Sequence, residues 1–310
     1  MTTSTSSGIG TLPPRFPVAV ERLADGWQPL EDKPEETLED TARALWFAAA
    51  GDPRPVRDVA EASLPLLDDG AWSRLESLIV RRRKGEPLAY LTGRQRFAGV
   101  ELLAAPGALI PRIETELLAR TAIEKLRSMP MIAGGRRALD LCTGSGNVAL
   151  AIAFDVADAV VDGCDLSEEA VAIARRNAEF TGLAGRVKFS AGDLFASVDD
   201  AAHANTCSLV TCNPPYISSG KVGAMHAEIA DHEPRLAFDG GRFGLDVLLR
   251  TIKDAPRFLV PGGWLCIEVG LGQGPFVLER LRRAGGYVAC EGVADAKGAI
   301  RVVTAQRATA

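Results

Sequence analysis

The chain has 310 residues, 47% of them hydrophobic and 24% charged, with a net charge of −5. That balance excludes wholesale disorder, and the acidic excess argues against an unaided grip on long duplex nucleic acid. At about 150 residues per domain, the length predicts two domains, or one large one with an extension.

Residues 1–33 are rich in Thr, Ser, Gly and Pro and read as a flexible tail. Its first residues, Met1 to Gly8, carry neither a basic region nor an apolar stretch, so no secretory signal is predicted. From 34 to 86 the pattern is helical. Thr37 is placed to cap a helix running through Leu45 and Phe47 to Ala50, with Gly51 and Pro53 as stop signals. Trp72, Leu75, Leu78 and Ile79 recur at helical spacing. The run Arg81-Arg82-Arg83-Lys84 reads as a solvated helix end, or else as a contact to RNA or an acidic partner.

Residues 87–111 change character. Tyr90-Leu91-Thr92-Gly93, Phe97 and Val100 to Leu103 predict short strands and turns, a hairpin linker. A helix should begin near Glu114 and run to about Leu126. Within 112–310, strand-like runs fall at 138–142, 159–164, 187–190, 208–212, 264–269, 287–291 and 300–304. Helical patterns fill most gaps, notably 147–153, 167–180 and 245–258. This alternation argues for a parallel sheet covered by helices, with the last two strands antiparallel at an edge because their connection is short. The apolar runs 44–50 and 148–154 are far below the roughly 20 residues of a spanning helix, so no membrane segment is predicted. Six scattered cysteines without a C-x-x-C pair, beside only His203, His226 and His232, read as buried free thiols. They predict no metal site and a reducing, cytoplasmic setting.

The segment Asp140-Leu141-Cys142-Thr143-Gly144-Ser145-Gly146-Asn147 ends one strand and opens a helix. Its glycines permit close backbone approach to a ligand, but the spacing is not G-x-G-x-x-G. A carboxylate just before the turn, Asp140, suits an ammonium-bearing ligand better than a diphosphate. That points away from NAD and toward S-adenosylmethionine. Asp165 ends the next strand about 20 residues on, where an acidic residue accepts from ribose hydroxyls. Asp193 and Leu194 follow the third strand and could take the adenine amino group and one ring face. The plainer readings are an ordinary strand-to-helix turn, a helix-capping carboxylate and a solvated loop Asp.

The fourth strand ends in Asn213-Pro214-Pro215-Tyr216. Two prolines cannot continue a central strand, because each lacks a backbone N–H, so they fix a rigid turn. The Asn213 side-chain oxygen and the Pro214 carbonyl can then converge as acceptors for the two N–H donors of a planar –NH₂, with Tyr216 offering a flat face and a hydroxyl nearby.

In these motifs the chain resembles the class I N5-glutamine protein methyltransferases, whose members modify glutamine in peptide-chain release factors and in a large-subunit ribosomal protein. The resemblance runs from about Glu86 to the C-terminus. It also takes in Pro87-Leu88-Ala89-Tyr90-Leu91-Thr92-Gly93, Leu109-Ile110-Pro111-Arg112-Ile113-Glu114-Thr115-Glu116, Glu233-Pro234, Gly240-Gly241, Gly244-Leu245-Asp246 and Glu268-Val269-Gly270. It implies an α/β fold: a Rossmann-like methyltransferase domain with a mostly parallel seven-stranded sheet, a helical substrate-recognition domain and a hairpin linker. It implies S-adenosylmethionine held by Asp140, Cys142, Thr143, Gly144, Ser145, Gly146, Asp165, Asp193, Leu194 and Asn213. Asn213, Pro214 and Tyr216 would be catalytic and, with Pro215, would meet the substrate. A release factor bearing Gly-Gly-Gln, or a ribosomal protein, would be the partner, with no stable nucleic-acid or membrane binding. The chain departs from the family at Cys142 (usually Gly), Ile113 (usually Pro), Phe243 (usually acidic) and Ala98 (usually aromatic). The Asn-Pro-Pro-Tyr corner also serves DNA and RNA amino-methyltransferases, since adenine N6 is likewise a planar exocyclic nitrogen.

Overall fold

Apolar residues at helical spacing build the first of two units, residues 1–96 and 97–310. The computed structural model describes residues 12–25, 27–30, 32–130, 135–198, 203–222, 227–241 and 244–309. His226 and Phe243 lie outside them.

In the first unit, α1 (Phe16–Ala24) opens with Pro17 in its first turn, where a missing N–H costs nothing. Phe16, Ala19 and Leu23 are buried at spacings of three and four. These residues are therefore not tail: the Ser/Thr/Gly composition of the region conceals a short amphipathic stripe. The helix α2 (Leu38–Ala49) has Thr37 accepting from the Asp40 N–H, as its spacing predicts. The helix α3 (Asp69–Arg83) is capped by Asp68. Trp46, Phe47, Leu45 and Leu75 form the centre of this core. Arg81, Arg82 and Arg83 are taken up within the unit by Glu86, Glu36 and Asp25 respectively. Arg82 and Glu36 are both buried, so this run is not simply a solvated helix end.

Pro87 precedes a five-residue helix, α4 (Leu88–Thr92), where strands and turns are predicted. The left-handed Gly93 (φ 68°) stops it. The strands β1 (Arg94–Phe97) and β2 (Val100–Leu103) follow, and the boundary between the units falls inside β1.

The second unit continues with α5 (Glu116–Ser128), β3 (Arg136–Leu141), α6 (Asn147–Asp155), β4 (Ala159–Asp165), α7 (Glu168–Phe180), β5 (Val187–Ala191) and β6 (Cys207–Cys212). Then come α8 (Asp246–Asp254), β7 (Leu259–Glu268), α9 (Gly274–Ala284), β8 (Tyr287–Ala294) and β9 (Ile300–Arg307). Among the described residues the main sheet has seven strands in the order β5-β4-β3-β6-β7-β9-β8. The first five strands of that order are parallel; β9 lies antiparallel between β7 and β8. One face is covered by a core holding Leu118, Ile152 and Val171, the other by a core holding Leu248, Ile252 and Val277. Both layers are apolar because a parallel sheet is buried on both faces. This is the Rossmann-like α/β architecture expected. Among the described residues, no helix is long and apolar enough to cross a membrane.

The chain reverses its direction of sheet growth at β3: β4 and β5 add to one side, β6 and β7 to the other. Ligands of open α/β sheets bind outside the carboxyl ends of the strands at such a point.

Candidate active site

A crevice opens at the carboxyl ends of β3, β4, β5 and β6. Its walls include Asp140, Cys142, Thr143, Gly144, Asp165, Asp193, Leu194, Asn213 and Pro215. Ser145, Gly146, Pro214 and Tyr216 do not line it.

At the end of β3, Asp140 is 1% exposed. One carboxylate oxygen accepts from Thr143 Oγ1 at 2.6 Å and the other from Thr211 Oγ1 at 2.7 Å. Burial pushes its carboxyl up to about 6, with the two hydroxyls acting in the opposite direction. Cys142 occupies a left-handed conformation (φ 54°), which explains why glycine is usual there. Its Sγ lies 4.0 Å from that of Cys212, and this contact, with burial, raises its thiol. Gly146 also has positive φ, and a Cβ there would come within 2.6 Å of the Phe189 ring, so the helix start packs directly on β5. Ser145 is buried behind the turn.

Asp165, ending β4, holds the turn from the other side. Its carboxylate accepts from the Gly144 N–H at 2.8 Å and the Ser167 N–H at 2.9 Å. Burial raises its carboxyl, opposed by those N–H groups. The following helix is capped by Ser167, which accepts from the Ala170 N–H at 3.2 Å, so Asp165 is not the capping carboxylate but holds the capping residue's own N–H. Asp193 is half exposed and pairs with Arg250 at 2.8 Å, a partner the motif gives no hint of. Leu194 is buried beside it with φ 49°.

At the end of β6, Asn213 Nδ2 donates to Thr115 Oγ1 at 3.2 Å. With the amide nitrogen so engaged, Oδ1 is the atom of Asn213 left to accept from a ligand in the crevice that Asn213 lines. The turn is braced from outside: Ile217 N–H donates to Phe238 O at 3.0 Å and Gly240 N–H to Ile217 O at 2.9 Å. Any Cβ at Gly240 or Gly244 would collide with the carbonyls of Pro215 and Tyr216, so the downstream glycines are required by this close approach. Tyr216, expected to meet the substrate, is not on the crevice wall. Its hydroxyl donates to Glu268 Oε1 at 3.3 Å, and burial, reinforced by Glu268, holds its phenol well above the ordinary range. Nearby, Arg112 pairs at 2.5 Å with Glu233, whose other oxygen accepts from the Ile110 N–H. That carboxylate ties the 109–112 loop down at the rim.

Sequence reasoning named the three strand ends and the corner but assigned no role to Thr115, Glu268, Glu233 or Arg250. Three of these lie in motifs already quoted, and only Glu268, a carboxylate at the end of the apolar run Leu265-Cys266-Ile267, carried a local signal; Thr115 and Glu233 sit among charged residues and carried none.

Comparison with known proteins agrees with this geometry. The methyltransferase small domain family matches residues 115–245. A protein of Geobacter sulfurreducens called release factor glutamine methyltransferase is 40% identical over 73% of this chain and 75% of its own length. One of the same name from Gloeobacter violaceus is 40% identical over 72% and 76%. A third, from Streptomyces coelicolor, is 33% identical over 94% of this chain and 96% of its own. With that identity sustained across nearly the whole of both chains, and the two strand-end motifs brought to one crevice, the chain belongs to the release factor glutamine methyltransferase family.

Proposed function

We propose that this protein transfers a methyl group from S-adenosylmethionine to the side-chain amide nitrogen of a glutamine in a peptide-chain release factor. The observation that carries this reading is the placing of Asn213, with its amide nitrogen tied to Thr115, on the wall of the crevice that Asp140, Gly144 and Asp165 also line. The names of the relatives support the substrate.

The residues present fit that cofactor. Asp165, on the crevice wall, keeps acceptor capacity beyond the N–H groups of Gly144 and Ser167 for a ribose hydroxyl. Asp140 supplies negative charge where an ammonium group would lie, and a cation there would lower its raised pKa. Asp193 and Leu194 are on the same wall for an adenine. When bound, the cofactor supplies an electrophilic methyl group on a good leaving group. The chain's own task is then orientation. An amide nitrogen is a poor nucleophile because its lone pair is delocalised into the carbonyl. Asn213 Oδ1, accepting one of its protons, holds the nitrogen in line with the methyl and favours electron density on it, while Pro214, off the crevice wall, stiffens the corner that aims it. Such alignment is worth about 7–11 kcal/mol of barrier. The released proton passes to water.

The test is transfer of labelled methyl from S-adenosylmethionine to a release factor, a ribosomal protein, duplex DNA and RNA in separate reactions. Label on the glutamine of Gly-Gly-Gln in the release factor is the expected result. Label confined to the ribosomal protein would overturn the substrate, and label confined to nucleic acid would overturn the reaction class.

A further inference from the structure

The helix α7 runs one buried face past two walls of the crevice. Ala170, Ile173, Ala174 and Asn177 recur on it at spacings of three and four. Ala170 and Ile173 pack with Ala108, which lines the crevice. Ala174 stands against the cofactor turn, since a Cβ on Gly146 would come within 3.2 Å of its own. Asn177 ends this stripe with a polar side chain that is 0% exposed. An amide so placed has lost its water, so its partners must explain it.

All its partners are backbone groups. Oδ1 accepts from the Leu103 N–H at 2.7 Å, and Nδ2 donates to the Leu103 carbonyl at 3.2 Å and to the Ser145 carbonyl at 3.0 Å. An amide has two N–H protons and one oxygen, so one proton goes to each carbonyl and the partners fix which way the group faces. It holds the Leu103 backbone as a neighbouring strand would, by both N–H and C=O, and gives its remaining proton to the turn. Leu103 ends β2 and leads to Gly107 and Ala108 on the crevice wall. Ser145 lies between Gly144 (φ 56°), on the wall, and Gly146 (φ 82°). Leu103 and Ser145 themselves do not line the crevice.

We infer that Asn177 is a positioning residue for cofactor binding: its amide fastens the end of β2 and the 143–146 turn to each other, so that the two walls continuing from them keep one spacing. This rests on the function proposed above, in which the ligand is S-adenosylmethionine. A cofactor seated between the walls then meets a spacing already set, and binding does not have to order it. Without the amide, the Ser145 carbonyl loses its donor, and the two glycines that flank it leave its peptide free to rotate.

The experiment compares the parent with Asn177→Leu, which has neither donor nor acceptor, and Asn177→Asp, which keeps an oxygen for the Leu103 N–H but, when ionised, has no proton for Ser145. Folding is checked by circular dichroism, affinity for S-adenosylmethionine by calorimetric titration, and kcat at saturating cofactor. Each variant should bind about 10- to 100-fold more weakly, as where a buried carbonyl loses its donor. At saturation kcat should stay within about threefold, since no partner of Asn177 belongs to the Asn213 corner. A folded variant with parental affinity overturns the inference.

The parent alone supplies a readout independent of turnover and of how the variants fold: hydrogen exchange at the Leu103 N–H, followed by nuclear magnetic resonance with and without S-adenosylmethionine. On binding, this exchange should slow about tenfold more than that of the Val303 N–H in β9, which reports global stabilisation. Equal slowing at the two sites overturns the inference. A parent that binds no S-adenosylmethionine overturns the proposed function and this role with it. A parent that binds it, beside folded variants that bind it equally well, leaves the function standing and removes only the role of Asn177.

Discussion

The two strand ends that build the crevice are made on opposite plans. After β3 the chain turns through left-handed residues, Cys142, Gly144 and Gly146, and the turn is held by its own backbone, the Thr143 N–H on the Cys164 carbonyl and the Gly144 N–H on Asp165. After β6 it turns through two prolines, and the corner is held by side chains reaching from elsewhere: Thr115 on Asn213, Glu268 on Tyr216. The first plan lets backbone come close to a ligand. The second gives up backbone adaptability to fix the direction of one side-chain oxygen. A binding loop and an aiming corner therefore call for different residue chemistry, even on neighbouring strands of one sheet.

That contrast breaks most visibly at Asn213. Asn213→Ala should fold normally by circular dichroism and slow methyl transfer by about 10²- to 10³-fold, with cofactor binding little changed. Turnover within threefold of the parent would remove the aiming role. On the binding side, Asp165→Ala leaves the Gly144 and Ser167 N–H groups without their acceptor. Here the dissociation constant for S-adenosylmethionine, by calorimetric titration, should rise about 100-fold, the equivalent of roughly 3 kcal/mol. An effect on kcat alone would mean that the two plans are not separate.

Asp140 sharpens the comparison through pH. Its native carboxyl titrates at about 6, above the ordinary Asp value of about 3.9 in an unfolded chain. A raised native pKa gives a stability contribution that is complete below about pH 4 and is lost as pH rises through 6. Relative to Asp140→Asn, the parent should lose on the order of 2 kcal/mol of stability between pH 4 and 7. Denaturant midpoints across that range measure this, and a flat difference would contradict it. The smallest effect belongs to Cys142→Gly. Glycine relieves about 1 kcal/mol of left-handed strain, but it frees the unfolded chain and removes the packing of Sγ on Cys212. Stability should stay within about 1 kcal/mol of the parent and activity should be unchanged. A larger loss would show that the thiol contact outweighs the backbone.

The sheet was readable because its strands are buried on both faces and punctuated by turns, and the crevice because both motifs are contiguous runs. The helix Phe16–Ala24 was not, since three buried residues are diluted by the Ser, Thr and Gly around them. The helix Leu88–Thr92 is too short for a period to show. Thr115, Glu268 and Arg250 escaped assignment for another reason. Their partners lie 98, 52 and 57 residues away in the chain, and only the fold brings them together. Local pattern reveals what a segment is; the identity of a distant hydrogen-bond partner is a property of topology.

The position of β3 has a consequence for synthesis. It is made before β4 and β6, yet it ends between them, and the Thr211 hydroxyl that completes Asp140 arrives 71 residues later. A nascent chain stopped short of Cys212 therefore carries half a crevice and an uncovered flank of β3, an open edge ready to pair with a stranger. Productive folding of this unit has to wait for that late strand.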